Sequence, residues 1–303
     1  MLPPTETQKD NLNTSRLDVE NENTSDQWDM VIQPKTSWFD LRLNELWAYK
    51  DLLFIMVKRD FIAAYKQTIL GPLWHFLQPL FTTIVFVVVF GRIARIPTDN
   101  IPPPLFYLCG LTLWNYFSAC LNGTSNTFIA NAGIFGKVYF PRLIIPLSIV
   151  ISNAIKLGIQ FMLLIAMMFY YSFSGYTINI SLNILWVPLL ILMVALLGFA
   201  IGILISALTT KYRDMTVLMG FGVQLLMYGT PIIYPLSYIP EKYKIIIGLN
   251  PLTWLTEAFR TGILGEGIIN LPMLAYSGGI TLILLLTSIV VFSKVEKTFM
   301  DTV

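Results

Sequence analysis

The sequence predicts an all-helical integral membrane protein. We expect six transmembrane helices, preceded by an amphipathic interfacial helix and with short re-entrant helices in the last outer loop. Hydrophobic residues make up 55% of the 303 residues and charged residues only 13%, against about 25% charged in a typical soluble domain. Long apolar runs follow one another along the chain, and the basic residues concentrate on one side of them.

Residues 1–36 form the first predicted unit, a disordered cytoplasmic tail. The first forty residues contain eight acidic and three basic side chains, a polar composition typical of disorder. They lack the basic and then apolar layout of a signal peptide, so we expect the N-terminus to stay in the cytoplasm. The second unit, residues 37–303, is the predicted six-span membrane domain.

A helix lying on the membrane surface is predicted over residues 44–70. Its apolar side chains recur at steps of three and four, which places them on one helical face that would lie in lipid. These side chains are Leu46, Tyr49, Leu53, Val57, Phe61 and Tyr65. Lys58, Arg59 and Lys66 are among the charged residues that interrupt this pattern, and they leave a polar surface for a soluble partner.

Gly71 and Pro72 end that pattern and form a predicted hinge. Glycine permits a sharp bend, and proline lacks the amide that an uninterrupted helix uses. The apolar runs that follow are long enough to cross a bilayer. The six predicted spans cover about 73–92, 105–122, 144–171, 184–208, 216–235 and 273–292.

The distribution of lysine and arginine predicts the orientation of the chain. With the N-terminus inside, fourteen of the twenty basic residues fall on the cytoplasmic side, five fall outside and Lys156 lies within a span. An even number of spans then places both termini in the cytoplasm. Small residues in the fourth span, among them Gly198, Gly202 and Ser206, predict close packing of helices.

The last outer loop contains apolar helical pieces that are too short to cross the membrane. Residues 241–265 are broken at Asn250-Pro251 and end at a glycine, which suits a re-entrant or interfacial pair of short helices. Glu257 and Arg260 stand three residues apart, where they can pair along one helix face. The pair has two open interpretations, a functional one and one in which it only makes these charges tolerable near lipid.

Lys156 is the charged residue deep in a span, roughly 20 Å along the helix from its cytoplasmic end. An ionisable group inside a membrane is a functional candidate, and here it could meet a lipid phosphate or a polar lumen. The alternative role is structural, with Lys156 hydrogen-bonded to Ser152 or Gln160 one turn away on either side.

The sequence offers no chemistry of its own for catalysis. Cys109 and Cys120 would lie about 16 Å apart along one helix, too far for a disulfide, and nothing is spaced like a metal site. GIFGKV at 133–138 lacks the spacing of a phosphate loop. We therefore expect no enzymatic activity, metal or cofactor on this chain and no nucleic-acid partner.

Several segments resemble one known family. The segment 59–80 (RDFIAAYKQTILGPLWHFLQPL) is similar to the opening segment of permease subunits of ABC exporters for lipid-linked polysaccharides, namely O-antigen, capsule and teichoic acid exporters. Residues 136–148 (GKVYFPRLIIPLS), 228–240 (YGTPIIYPLSYIP) and 250–265 (NPLTWLTEAFRTGILG) match the family further along the chain. The acidic tail is the main departure from the pattern.

The resemblance implies a homodimer of permeases in the bacterial cytoplasmic (inner) membrane, with two cytoplasmic ABC ATPase subunits that bind ATP and magnesium. The substrate would be a lipid-linked glycan such as the O-antigen of lipopolysaccharide, with membrane lipids alongside. The interfacial helix and the connection before the third span would touch the ATPases. This assigns coupling to Lys58, Arg59, Lys66, Lys137, Tyr139, Phe140 and Arg142, the last four forming an exposed knob. The positive-inside rule alone is the other explanation for Lys137 and Arg142.

The resemblance also implies that the first and fifth spans line a channel. Aromatic side chains suit a glycan path because sugar rings have apolar faces. The candidates are Trp74, Phe81, Phe86, Phe221, Tyr228 and Tyr234, although aromatic residues also serve as interfacial anchors. The competing functions are an exporter of drugs or small lipids, an energy-independent channel or scrambler, and a membrane enzyme, which would need acidic or histidine clusters at the membrane edge.

Overall fold

The computed structural model describes residues 43–66, 68–178, 181–212, 214–267 and 269–299. Within these ranges every regular element is helical, as the sequence predicts. The tail predicted over residues 1–36 lies outside the described residues. The helices are α1 (Leu43–Ala48), α2 (Lys50–Tyr65), α3 (Trp74–Phe86), α4 (Pro103–Ser125), α5 (Thr127–Phe135), α6 (Ile144–Phe173), α7 (Val187–Thr209), α8 (Met215–Tyr228), α9 (Glu241–Gly248), α10 (Pro251–Leu264) and α11 (Leu271–Phe299).

Four helical runs in the described part of the chain are long and apolar enough to cross a membrane. They are Gly71–Ile93, Ile144–Phe173, Leu182–Thr209 and Leu271–Glu296, and they agree with four of the predicted spans. The other two predicted spans are not among them. α4 has 23 residues but carries several polar side chains, and α8 has only 14, because its helix ends at Tyr228.

α4 is the central helix of the bundle and packs against α6 and α7. Glycines make its approach to α7 close: a Cβ at Gly198 would lie 3.0 Å from the carbonyl oxygen of Phe117. Ser206, two turns further, accepts a hydrogen bond from the amide of Phe128 at 3.2 Å. The small residues of the fourth predicted span therefore do permit close helix packing.

Cys109 and Cys120 both lie on α4, and both are buried and free. Most of the side chains around them on this helix are also buried. α11 packs along α7. The main hydrophobic core thus lies where α4, α7 and α10 meet.

α2 packs along α6. Its apolar face is directed at protein: Val57 is buried, and the Ser152 hydroxyl lies 3.5 Å from the Val57 carbonyl oxygen. The expectation that this face lies in lipid is therefore wrong. A second set of apolar side chains on the helix is exposed instead, including Phe54 and Ile55, because both sides of α2 carry apolar residues.

Candidate functional site

The predicted hinge coincides with a real change in backbone conformation. α2 ends at Tyr65 rather than near residue 70, and a 3₁₀ turn at Gly71–Leu73 leads into α3. Gly71 has a φ of +49°, in the left-handed region that residues with a Cβ adopt only at a cost. Pro72 occupies the first turn, where its missing N–H leaves no hydrogen bond unmade.

Substituting Gly71 tests the hinge. Gly71→Ala is expected to destabilise the protein by about 1–2 kcal/mol, while Gly71→Asn should cost less because asparagine tolerates this conformation. Nothing lies within 4 Å of a Cβ at Gly71 or at Gly133, so Gly133→Ala, without the positive φ, is the matched control. Thermal unfolding in detergent measures the difference. Equal stability of Gly71→Ala and wild type would contradict the assignment.

The candidate coupling residues on α2 and at its C-terminal end are accessible. Lys58, Arg59 and Lys66 are all exposed. Arg59 donates to the Asp60 carboxylate at 2.7 Å, and the same carboxylate accepts from the Ser148 hydroxyl of α6 at 3.3 Å. The basic surface of α2 is thereby connected to α6 through Asp60.

The connection before α6 is only half exposed. Lys137 and Tyr139 are exposed, but Phe140 and Arg142 retain only 4% and 6% of their accessible surface. The prediction of an exposed knob is therefore wrong for these two residues. Their burial follows from an apolar cluster formed by Phe128, Phe135, Phe140 and Phe292, which we call the aromatic cluster.

Arg142 binds the C-terminal end of α11 and so holds this connection against it. Its Nη1 donates to the carbonyl oxygen of Glu296 at 2.5 Å, and its Nε lies 3.9 Å from the Glu296 carboxylate. The guanidinium also lies 5.2 Å from the ring centre of Phe135. Burial lowers the pKa of Arg142, and Glu296 opposes that shift. Arg142 thus holds the connection in place, while Lys137 and Tyr139 present its surface.

The pair predicted between Glu257 and Arg260 forms, with Arg260 buried and Glu257 partly buried. Arg260 Nη1 donates to Glu257 Oε1 at 2.9 Å, and Arg260 Nη2 donates to the carbonyl oxygen of Pro231 at 2.6 Å. The guanidinium stacks on Phe106 of α4 at 3.8 Å from the ring centre, and Glu257 also accepts from the amide of Leu236 at 3.3 Å. The pair therefore joins α10 to α4 and to the segment after α8.

The region predicted to be re-entrant consists of two short helices, α9 and α10. Asn250 separates them and caps α10, accepting from the amide of Leu252 at 3.1 Å. Its Nδ2 donates to Thr230 Oγ1 at 2.9 Å. Gly265 ends α10 with a φ of +76°, the left-handed conformation common at helix C-termini.

The aromatic channel candidates fall into two groups. Trp74, Phe81, Phe221 and Tyr228 are exposed. Phe86 instead packs edge-on against Tyr107 of α4 at 6.0 Å, and Tyr234 donates its hydroxyl to the carbonyl oxygen of Tyr228 at 2.8 Å. The two exposed pairs each have a spacing of seven residues, which places both members on one helix face.

Lys156 lies in a polar cavity between α3, α4 and α6. Its ammonium donates to Asn153 Oδ1 at 2.9 Å, so neither of the two expected partners binds it. Ser152 is directed at α2, and Gln160 lines the same cavity. The cavity has a volume of about 260 Å³ and is lined mainly by His75, Gln78, Asn115, Asn122, Asn153 and Gln160 around Lys156.

Comparison with known protein families identifies the chain. The family described as ABC-2 type transporter matches residues 51–264, which is more than half of the sequence. The chain belongs to the ABC-2 type transporter family. The family match extends from α2 to α10, and it therefore includes the hinge, the connection before α6, the cavity and the buried ion pair.

Curated relatives of this ABC-2 type transporter are named for polysaccharide export. An O-antigen export system permease protein of Klebsiella pneumoniae is 30% identical over 252 residues, which are 83% of this chain and 94% of the relative. A protein of the same name from Myxococcus xanthus is 25% identical over 86% of this chain and 98% of its own length. A polysialic acid transport protein of Escherichia coli is 25% identical over 80% of this chain and 93% of its own length.

Most residues of the cavity were not singled out in the sequence of this ABC-2 type transporter. Asn115, Asn122 and Asn153 are amide side chains inside otherwise apolar runs, and that is the signal that could have found them. Their helices come together only through packing between segments distant in sequence. The sequence alone therefore pointed to Lys156 and to Gln160 on the same helix, but not to the lining residues of the other two helices.

Proposed function

We propose that this chain is the transmembrane permease subunit of an ATP-driven ABC transporter that exports a lipid-linked polysaccharide, an O-antigen or a related surface glycan. The observation that carries the proposal is the ABC-2 family match over residues 51–264, together with relatives named for O-antigen export along almost their full length. ATP and magnesium would be bound by a separate ATPase chain.

The proposed topology has six spans and both termini in the cytoplasm of a bacterial inner membrane. α4 and α8 would be the two spans beyond the four long apolar runs. α4 supports this because it is buried along most of its length by neighbours that are themselves apolar enough to span, so its polar side chains need not meet lipid. Residues 229–235 would carry the chain on from α8, and α9 with α10 would form the outer re-entrant pair.

Two copies of the chain would enclose the path for the glycan. Trp74 and Phe81 of α3, with Phe221 and Tyr228 of α8, leave aromatic surface exposed on the single chain. Such surface suits a partner copy and a sliding sugar chain, because sugar rings stack on aromatic faces. The function is tested by removing the chain from its host and measuring surface glycan. Loss of surface glycan with accumulation of its lipid-linked form is expected, and intact glycan with raised drug sensitivity would favour a drug exporter.

The ATPases would bind at the exposed parts of α2 and the connection before α6. A photo-crosslinking amino acid at Tyr139 is expected to capture a soluble protein with a phosphate loop, in about equal amount to this chain. Tyr243 of α9 is the matched control, because Tyr139 and Tyr243 are each 50% exposed and Tyr243 would lie on the outer side. Capture from both positions, or from neither, would contradict the proposed contact.

Reversing charge and removing the ring at this contact should weaken the complex. The double variant Lys137→Glu, Tyr139→Ala is expected to lower ATPase affinity at least about tenfold, the effect of one interface contact worth 1.4 kcal/mol. Both side chains are exposed, so the fold should persist. Co-purification of the ATPase measures the change, with Tyr243→Ala as the control that should retain the wild-type level.

A further inference from the structure

The cavity around Lys156 has the chemistry of an anion site. Lys156 contributes an ammonium group, and amide side chains surround it from three helices. No carboxylate is among the described residues that line the cavity. Lysine binds phosphate as a point charge, and amide N–H groups can donate to phosphate oxygens. The lining is therefore positively charged and rich in hydrogen-bond donors.

The neighbouring carboxylate does not neutralise this site fully. Asp60 is within electrostatic range of Lys156, but its carboxylate already accepts from Arg59 at 2.7 Å and from Ser148 at 3.3 Å. The structure gives Lys156 itself a hydrogen bond to a neutral group, Asn153 Oδ1. An ammonium ion has three donors, so Lys156 retains capacity to bind an anion in the cavity.

The cavity has room for a ligand and an opening for it. Its volume of about 260 Å³ is far above the roughly 15 Å³ that a single bound water requires. Gln78 and Asn122 on its lining are exposed, so the cavity is accessible from the surface of the bundle. Gln160 Oε1 is buried and has no hydrogen-bond partner among the described residues; because this oxygen accepts hydrogen bonds, it suits a water molecule or a hydroxyl group of a ligand rather than a phosphate oxygen.

We propose that this cavity binds the phosphate headgroup of a lipid, with Lys156 as the charged contact. The inference rests on the proposed membrane topology, because α3 and α6 lie in runs apolar enough to span a bilayer. Phosphate is the anionic group that bilayer lipids carry, and both an ordinary phospholipid and an isoprenoid phosphate carrier present it. Asn153 positions the Lys156 ammonium towards the headgroup. His75, in the first turn of α3, brings the site next to the hinge at Gly71.

The test measures lipid binding to the purified full-length chain by native mass spectrometry in detergent. The probes are phosphatidylglycerol, undecaprenyl phosphate, diacylglycerol without phosphate, and inorganic phosphate. We expect one or both of the phosphate lipids to bind, and diacylglycerol to bind at least about tenfold more weakly. Preference between the two phosphate lipids distinguishes a structural phospholipid from a carrier.

Variants assign the binding to Lys156. Lys156→Met is expected to reduce affinity for the phosphate lipid at least about tenfold, since it removes a hydrogen bond to a charged group. Lys156→Arg keeps the charge and should restore most of the binding, which also guards against a folding defect in Lys156→Met. Lys242→Met, at an exposed lysine of α9, is the matched control and should bind as wild type does.

Three results would overturn the proposal. These are equal binding of diacylglycerol and phosphatidylglycerol, unchanged lipid affinity in Lys156→Met, and binding of inorganic phosphate alone without either phosphate lipid. Surface glycan in cells is measured in parallel. Normal glycan export with no phosphate-lipid binding would reject this site and leave the proposed transport function intact. Phosphate-lipid binding by a chain whose removal leaves surface glycan unchanged would support the site and reject the transport function.

Discussion

Arg260→Met is expected to destabilise the protein by about 3 kcal/mol, the low end of the cost of breaking a buried pair, because the Glu257 side chain left unpaired is 24% exposed. Arg260 is only 3% exposed, and its removal strands Glu257 while breaking the bond to Pro231 and the contact with Phe106. These contacts hold α10 and the segment after α8 against α4. We therefore expect a large fall in the midpoint of thermal unfolding, measured by tryptophan fluorescence in detergent.

A similar pair on the neighbouring helix provides the control. Lys244 donates to Glu241 at 2.6 Å, also with a spacing of three residues, but the Glu241 side chain is 87% exposed. Exposed pairs contribute little to stability, so Lys244→Met should leave the unfolding midpoint close to that of wild type. Glu257→Gln combined with Arg260→Met should recover part of the loss, since no charge is then left unpaired. Similar midpoints for Arg260→Met and Lys244→Met would contradict the buried role.

Gly202→Val is expected to cost about 3 kcal/mol or to prevent accumulation of the folded protein, because overpacking costs 1–3 kcal/mol and occasionally more. A Cβ at Gly202 would overlap Thr124 Oγ1 and lie 2.9 Å from the carbonyl oxygen of Leu121. Leu121 cannot relieve this by rotating a side chain, since the clash is with its backbone. α4 and α7 would have to separate, and their contact is the centre of the bundle.

Gly158→Val is the matched control for this prediction. Gly158 is also within a long helix, α6, but nothing lies within 4 Å of a Cβ placed there. Its valine variant should accumulate and unfold much as wild type does. Protein yield after membrane extraction and the midpoint of thermal unfolding both measure the comparison. A Gly202→Val protein as abundant and stable as Gly158→Val would show that α4 and α7 do not pack as described.

The burial of Phe140 and Arg142 changes how coupling to an ATPase is interpreted. The connection before α6 is not a free knob: the aromatic cluster and the Arg142–Glu296 contact join it to the end of α11. If an ATPase binds at Lys137 and Tyr139 as proposed, a displacement of this connection would be expected to move α11 as well as α6. Alanine at Phe140 or Arg142 is expected to weaken the packing of this connection against the end of α11, in addition to any loss of contact with a partner.

The sequence by itself determined the features that depend on neighbours along one helix or on the character of a whole segment. The long apolar runs, the break at Gly71-Pro72 and the pairing of Glu257 with Arg260 are of this kind. Residues three or four apart on a helix meet whatever the rest of the chain does. Glycine before proline likewise interrupts a helix for local reasons. The resemblance of several segments to polysaccharide exporters then identified the family.

Only the tertiary structure decided which side of each helix faces protein. Protein interior and lipid are similarly apolar, so hydropathy does not distinguish a buried face from a lipid-facing one. For this reason the sequence assigns the apolar face of α2 to lipid although that face packs on α6. Phe140 is buried for a different reason: it lies in a short connection, but packing brings side chains from distant segments, such as Phe292, around it. The cavity around Lys156 has the same origin, because its amide groups come from three helices that only packing brings together.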